Sequence, residues 1–258
     1  MQASSSITLD IACGSDTGKV RSRNEDHIRI LPEHGLAVLS DGMGGHKAGD
    51  VASRVAVDEI AEHWGNLCAD IESGVRITGS KRSDDLLTAV SLANEQIHSL
   101  SKSNPEFQGM GATVIAAHFN ADGLCAVHLG DSRLYRFRRG RLQQLTNDHT
   151  HAQESVRLGL MSAEEAKGGY GWNLLLKALG VDTVLEPDLI AAQLEKNDLF
   201  LLASDGLTDA LGDDEIRTRL SLGDNLADSV EDLIDLANEN GGPDNISVIL
   251  VRIVSIDD

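Results

Sequence analysis

At 258 residues with 41% hydrophobic content, the chain can bury a core, and with only 3% aromatics that core must be mostly aliphatic. A formal net charge of -19 repels nucleic-acid backbones and anionic membrane surfaces, which argues against a binder of either. Three widely spaced cysteines, Cys13, Cys68 and Cys125, match neither a disulfide framework nor a zinc pattern.

In chain order, residues 7–16 and 26–32 alternate as strands, separated by the charged segment GKVRSRNED, and LAVLS delivers the chain to Asp41. Val51, Ala52, Val55, Ala56, Ile60 and Trp64 recur at helical spacing; residues 66–82 carry no period and read as a loop. Leu86, Val90, Ala93, Ile97 and Leu100 mark a second amphipathic helix. A meander follows: ATVIAAHF, LCAVHLG, SRLYRFR and RLQQLT, joined by Ala-Asp-Gly, Gly-Asp and Arg-Gly turns. The one basic cluster, RFRRGR at 136–141, reads as a hairpin turn. Residues 147–181 break the pattern with short helical pieces, AQESVRLGLMS and SAEEAKGG, then GYGWNLLLKALG, together a small helical flap. Strands LIAAQLE and DLFLLAS lead to Asp205. Helices around 213–220 and 225–238 precede a last strand, ISVILVRIV. The pattern predicts an α+β layered domain without repeats or linkers. No leader is visible and no apolar run approaches the roughly 20 residues that cross a bilayer, so a cytoplasmic protein without membrane insertion is expected.

Four acids end or begin apolar runs beside Gly, Ser or Asn. LAVLSDGMG around Asp41 is echoed by LFLLASDGL around Asp205; Asp131 closes AVHLGDSR, and Asp244 opens GGPDNISVIL. Each alone reads as a turn. Carboxylates gathered from strand ends would repel and raise one another's pKa unless a cation neutralised them. Oxygen-only ligands select Mg²⁺ or Mn²⁺ over zinc, and Gly42 lets a main-chain carbonyl join them. Upstream, Glu25 and Asp26 add two carboxylates suited to metal waters, and Arg21 adds a planar fork suited to phosphate; as a lone segment this reads as a solvated loop.

GKVRSRNED, SDGMGG, GMGATVIAA, GDSRLYR, ASDGLTD and GGPDNISVI, in this order and spacing, resemble the metal-dependent PP2C-type (PPM) serine/threonine protein phosphatases, in their compact bacterial branch. The resemblance covers nearly the whole chain. It implies one domain over 4–254, a four-layer αββα sandwich of two antiparallel β-sheets flanked by helices, with a flap at about 147–181. It implies two Mg²⁺ or Mn²⁺ ions bridged by Asp41, with the Gly42 carbonyl, Asp205 and Asp244 completing the pair. A third ion is expected between Asp131 and Asp205. Glu25 and Asp26 would hold coordinated waters, Arg21 would take the substrate phosphate, and an activated water would attack phosphorus in line without a phosphoenzyme. Asp41, Arg21 and Asp205 are thus the expected catalytic residues. The partners implied are phosphorylated proteins and a cognate Ser/Thr kinase, for a monomeric phosphatase.

Two departures from the family stand out. Met43 replaces the His of many eukaryotic relatives and cannot donate a proton; His46 reads as a solvated or capping residue, which leaves the general acid to a metal-bound water or another side chain. Gly168, Gly169 and Gly171 loosen the flap's exit. HTH at 149–151 reads as a loop rather than a metal pair. Lys47 falls where a dinucleotide fingerprint needs its third Gly, and no P-loop pair is present. Rival readings are a catalytically idle phospho-sensor or scaffold, and a phosphatase of small metabolites.

Overall fold

Alternation along single strands decides how the layers stack. The computed structural model describes residues 6–44, 48–73, 82–166 and 174–257. In chain order the first strands are β1 (Ser6–Asp16), β2 (Asp26–Leu31), β3 (Leu36–Met43), β4 (Gly111–Ala112), β5 (Val114–Asn120) and β6 (Gly123–Leu129). The later ones are β7 (Arg133–Arg138), β8 (Arg141–Gln144), β9 (Asp188–Ala192), β10 (Leu199–Ala203) and β11 (Ile246–Asp257). One antiparallel sheet runs β1-β11-β10-β7-β8; the other runs β2-β3-β5-β6-β9, with short β4 paired to the end of β3.

Central strands are buried on both faces, so they read as unbroken apolar runs whose alternate residues enter different cores. From β3, Leu36 and Val38 pack with Ile60, Trp64, Leu86 and Ile97 of α1 (Ala48–Glu72) and α2 (Arg82–Ser103). Ala37 and Leu39 face the opposite way, onto Phe200 and Leu202 of β10 and Ile249 of β11. On the far side, Leu201 and Leu250 pack beneath helices α5 (Asp205–Ala210), α6 (Asp213–Leu222) and α7 (Leu226–Glu239). Three stacked cores make four layers, αββα, with the sheets facing each other across the middle one. No helix among the described residues is long and apolar enough to cross a membrane.

Two local expectations change. The stretch 66–82 is not all loop: α1 continues to Glu72, because Leu67 and Cys68 extend the buried stripe of Ile60 and Trp64 past Gly65. Tertiary packing overrides the poor helix former. The described part of the flap carries the short helices its sequence predicts. It holds α3 (His151–Arg157) and α4 (Ala163–Ala166), and its exit is pinned by bridges Thr150–Leu175 and Ala112–Leu179. The HTH triplet is only partly loop, since Thr150 caps α3 by accepting from Gln153 N–H at 3.2 Å and His151 opens the helix. Gly168, Gly169, Gly171, His46 and Lys47 lie outside the described residues. The basic cluster is a hairpin as expected, turning at Arg139 and Gly140 with φ of 52° and 76°. Arg138 spends its charge locally, on Asp198 and Glu195.

Candidate active site

Period two also aims the first acids. Asp41 has the parity of Leu39 and Asp26 that of Ile28, so both point into the gap between the sheets. They are direct cross-strand partners. Like charges placed opposite each other destabilise a sheet, and here Asp26 is buried and Asp41 partly so. Asp26 is 5% exposed. Burial, followed by the charges of Asp26, Asp205, Asp131 and Asp244, raises the Asp41 carboxyl well above the usual range.

The opposite sheet supplies the facing half. β10 ends at Ala203, Ser204 turns the chain, and Asp205 opens α5. Burial raises Asp205 strongly, with Asp131, Asp209, Asp244 and Asp26 adding to it. Asp131 follows β6 in the second sheet and is raised to about 7, chiefly by burial and then by Asp148. Asp26 is raised to about 7 by burial, although Ser204 donates to its Oδ2 at 2.7 Å. Asp244, just before β11, accepts from Arg21 Nη2 at 2.5 Å. Arg21 stands at the rim with its side chain 55% exposed, and its own pKa is raised by Asp244 first, then by the charges of Asp205 and Asp41. Glu25 is half-buried beside it, raised by desolvation. The residues singled out from the sequence are therefore neighbours, although the chain separates Arg21 from Asp244 by more than two hundred positions.

The two glycines after Asp41 and Asp205 are demanded by close approach. A Cβ on Gly42 would lie 2.0 Å from the Gly49 carbonyl oxygen at the start of α1, and one on Gly206 would lie 2.0 Å from the Asn245 carbonyl oxygen. Each triplet is thereby pressed against a neighbouring element. Met43 is half-buried, with its Cε where a Cβ on Gly111 would come within 2.6 Å.

Residues not singled out from the sequence hold this assembly. Asn245 accepts from Glu25 N–H at 2.8 Å and donates to the Thr17 and Arg23 carbonyls at 2.9 and 2.8 Å, pinning the charged segment to β11. Thr113 Oγ1 accepts from Asp41 N–H at 3.0 Å and lies 2.8 Å from Ser132 Oγ, tying the Asp41 and Asp131 turns together. Asp209 adds charge that raises both Asp205 and Asp131. Its spacing of four from Asp205 on one helix is the signal that marks it.

The donor set fits hard divalent cations. Among the described residues, every group converging on the gap is an oxygen donor, and the buried Asp26 Oδ1 and Asp205 Oδ1 have no hydrogen-bond partner. Orphaned buried carboxylate oxygens among mutually repelling acids are what Mg²⁺ or Mn²⁺ resolves. Beside this cluster a cavity of about 810 Å³ is lined by Arg21, Arg23, Glu25, Glu106, Phe107 and Asn245.

Comparison with known proteins agrees with this architecture. Residues 13–250 match the family model described as Protein phosphatase 2C, and the chain belongs to that family. It is 34% identical over 241 residues to the serine/threonine phosphatase stp of Listeria welshimeri, covering 92% of this chain and 93% of that protein. It is 36% identical over 256 residues to the serine/threonine protein phosphatase PstP of Mycobacterium tuberculosis, covering 97% of this chain but 46% of that longer protein. The crystal structure of the Mycobacterium tuberculosis phosphatase PstP/Ppp superposes with a TM-score of 0.86 at 35% identity, covering 96% of this chain and 99% of that one. The PstP catalytic domain in complex with two manganese ions gives 0.84 at 35% identity, covering 98% and 100%.

Proposed function

We propose that this chain is a Mg²⁺- or Mn²⁺-dependent protein phosphatase that hydrolyses phosphoserine and phosphothreonine in proteins. Residues 4–254 act as one catalytic domain, with 147–181 as its flap. One observation carries the reading: in a member of the protein phosphatase 2C family, carboxylates from both sheets converge, among the described residues, as an oxygen-only set with two orphaned buried oxygens. Asp41, the Gly42 carbonyl, Asp205 and Asp244 would hold two ions, and Asp131 with Asp205 a third. Bound there, such ions supply Lewis acidity that acidifies water and neutralises phosphoryl charge.

The chain's own residues do the remainder. Glu25 and Asp26 orient water at the centre, the second held by Ser204. Arg21 exchanges Asp244 for a pair of phosphoryl oxygens, a bidentate geometry its planar fork suits better than lysine would. The cavity beside Arg21 is large enough for a peptide segment and carries both charges and an aromatic ring, Phe107. Met43 supplies no proton to the leaving alkoxide, since a thioether has none. The reading extends to a monomeric cytoplasmic enzyme opposing a cognate Ser/Thr kinase.

Turnover of a phosphothreonine peptide and of p-nitrophenyl phosphate with Mn²⁺, with and without EDTA, tests the proposal. Mn²⁺-dependent release of phosphate that EDTA abolishes is expected. No turnover across metals would leave an idle sensor. Equal rates on sugar phosphates and phosphopeptides would favour a metabolite phosphatase.

A further inference from the structure

Outside the carboxylate centre, a cluster of potential ligands among the described residues lies at the root of the flap. His128 on β6 and Asp188 on β9 are cross-strand partners, and the His149 ring stacks on His128 with centroids 4.8 Å apart and planes 28° apart. One potential ligand atom from each of the three lies within 4.8 Å of the others. His128 is fully buried, and neither ring nitrogen has a hydrogen-bond partner. Zinc is the first occupant that such a set suggests.

The hydrogen bonds of His149 decide against it. Its Nδ1 accepts from the Gly130 backbone N–H at 3.1 Å. A neutral imidazole that accepts at Nδ1 carries its proton on Nε2, and Nε2 lies 3.4 Å from Asp188 Oδ2. An ion on Nε2 would send that proton to Nδ1, where it would meet the Gly130 N–H, donor against donor. Metal-ligating imidazoles have the reverse arrangement, donating their second N–H to an acceptor.

We propose instead that Asp148 and His149 form a clasp that positions the Asp131 carboxylate and ties it to the flap. His149 grips Gly130 at two points, the side chain accepting from its N–H and the backbone N–H donating to its carbonyl at 2.8 Å. The preceding residue, Asp148, accepts from Arg133 Nε at 3.0 Å and Nη2 at 2.7 Å. Consecutive residues therefore hold both ends of the turn 130–133, and Asp131 is inside it. Gly130 has φ of 111°, a conformation that needs external support to persist at one value. On its other side the clasp holds the flap's exit: the His149 carbonyl accepts from Leu176 N–H at 2.8 Å, and His151 N–H donates to the Leu174 carbonyl at 3.0 Å. Asp188 selects the His149 tautomer that can accept from Gly130. These are positioning residues; none touches the phosphoryl site. The inference rests on the proposed function only in taking Asp131 as an ion ligand.

His149→Phe keeps the ring stack and removes the Nδ1 acceptor, whereas His149→Asn places an amide oxygen near the Nδ1 position. Mn²⁺ calorimetry on the intact protein, with amide hydrogen exchange at 130–133 and 174–176, separates them. In His149→Phe one Mn²⁺ site is expected to weaken about 10–100-fold, with faster exchange in both segments. His149→Asn is expected to restore most of both. Asp188→Leu, which frees the tautomer at a half-exposed position, carries the same expectation should His149→Phe not fold. Unchanged exchange and an unchanged isotherm in His149→Phe would overturn the clasp. So would a tight zinc site, titrated with zinc alone, that disappears in His128→Phe. Exchange reads the clasp even if the wild type hydrolyses nothing, so its failure and that of the phosphatase reading are distinguishable.

Discussion

Ser40-Asp41-Gly42 and Ser204-Asp205-Gly206 carry the same three residues to opposite sheets, and the two sites treat them differently. The first triplet stays in strand β3, with its serine donating within its own sheet to the Thr113 carbonyl at 2.6 Å. The second leaves the strand and begins helix α5, and its serine crosses the gap to Asp26 of the other sheet. Asp41 faces Asp26 along a ladder; Asp205 comes from a helix's first residue. Neither half offers an ion enough oxygens, and each raises the pKa of the other. The difference teaches that a repeated local motif becomes a site only through the sheet-on-sheet packing that brings the copies face to face.

The comparison breaks most sharply when a carboxylate is removed from either side. Asp41→Asn and Asp205→Asn are each expected to lower kcat/KM by about 10²–10³-fold, the scale of removing one transition-state charge partner. The double substitution should cost little more than the worse single one, because groups that act as a unit are not additive. Steady-state assays at saturating Mn²⁺ check this, and multiplicative losses would mean two independent sites.

Metal removal acts on both halves together. Asp26 and Asp131 have folded pKa values of about 7 against an ordinary 3.8. A carboxyl raised on folding stabilises the metal-free protein below the unfolded pKa, and that stability is lost as pH rises through the folded pKa. The metal-free protein should therefore lose stability between about pH 4 and pH 7. Adding Mn²⁺ at a hundredfold excess over Kd contributes about 2.7 kcal/mol per site, a Tm increase on the order of 5–10 °C at pH 7.5. A smaller increase is expected at pH 5.5, where protons compete for the carboxylates. Calorimetric scans at the two pH values read the sign directly.

Gly42→Ala and Gly206→Ala sharpen the comparison between the two backbones. Each new methyl meets a carbonyl oxygen at 2.0 Å, and such overpacking costs about 1–3 kcal/mol. Denaturant melts should show similar losses at both positions; a neutral substitution at either would deny the close approach.

The serines separate the halves with the smallest effect. Ser204→Ala removes the donor to Asp26 and should weaken Mn²⁺ binding about tenfold, as loss of an outer-shell partner does. Ser40→Ala should cost roughly 1 kcal/mol of stability with metal affinity retained, since its bond goes to a backbone carbonyl. Equal metal affinities in the two variants would erase the distinction.

Much of this was legible in the chain. Doubly buried strands announced themselves as LAVLS and DLFLLAS, and the acids that end them were visible from the matching Ser-Asp-Gly context. What was hidden depended on long-range placement. That Asp26 lies opposite Asp41 is a matter of register, which no local residue states. Residues 66–72 look unstructured until their leucine and cysteine are seen under α1's stripe. His149 reads as a loop residue because its partners, Gly130 and Asp188, come from two other segments. Ser204 and Asn245 lie within motifs, yet their work is to bridge separate segments, and side-chain reach across a gap leaves no periodic trace.

The most direct test of the shared centre is Mn²⁺ titration calorimetry of the wild type beside Asp41→Asn and Asp205→Asn. If carboxylates of opposite sheets grip the same ions, either substitution alone should abolish tight binding at the bridged pair. Retention of the wild-type stoichiometry and affinity in either variant would contradict that.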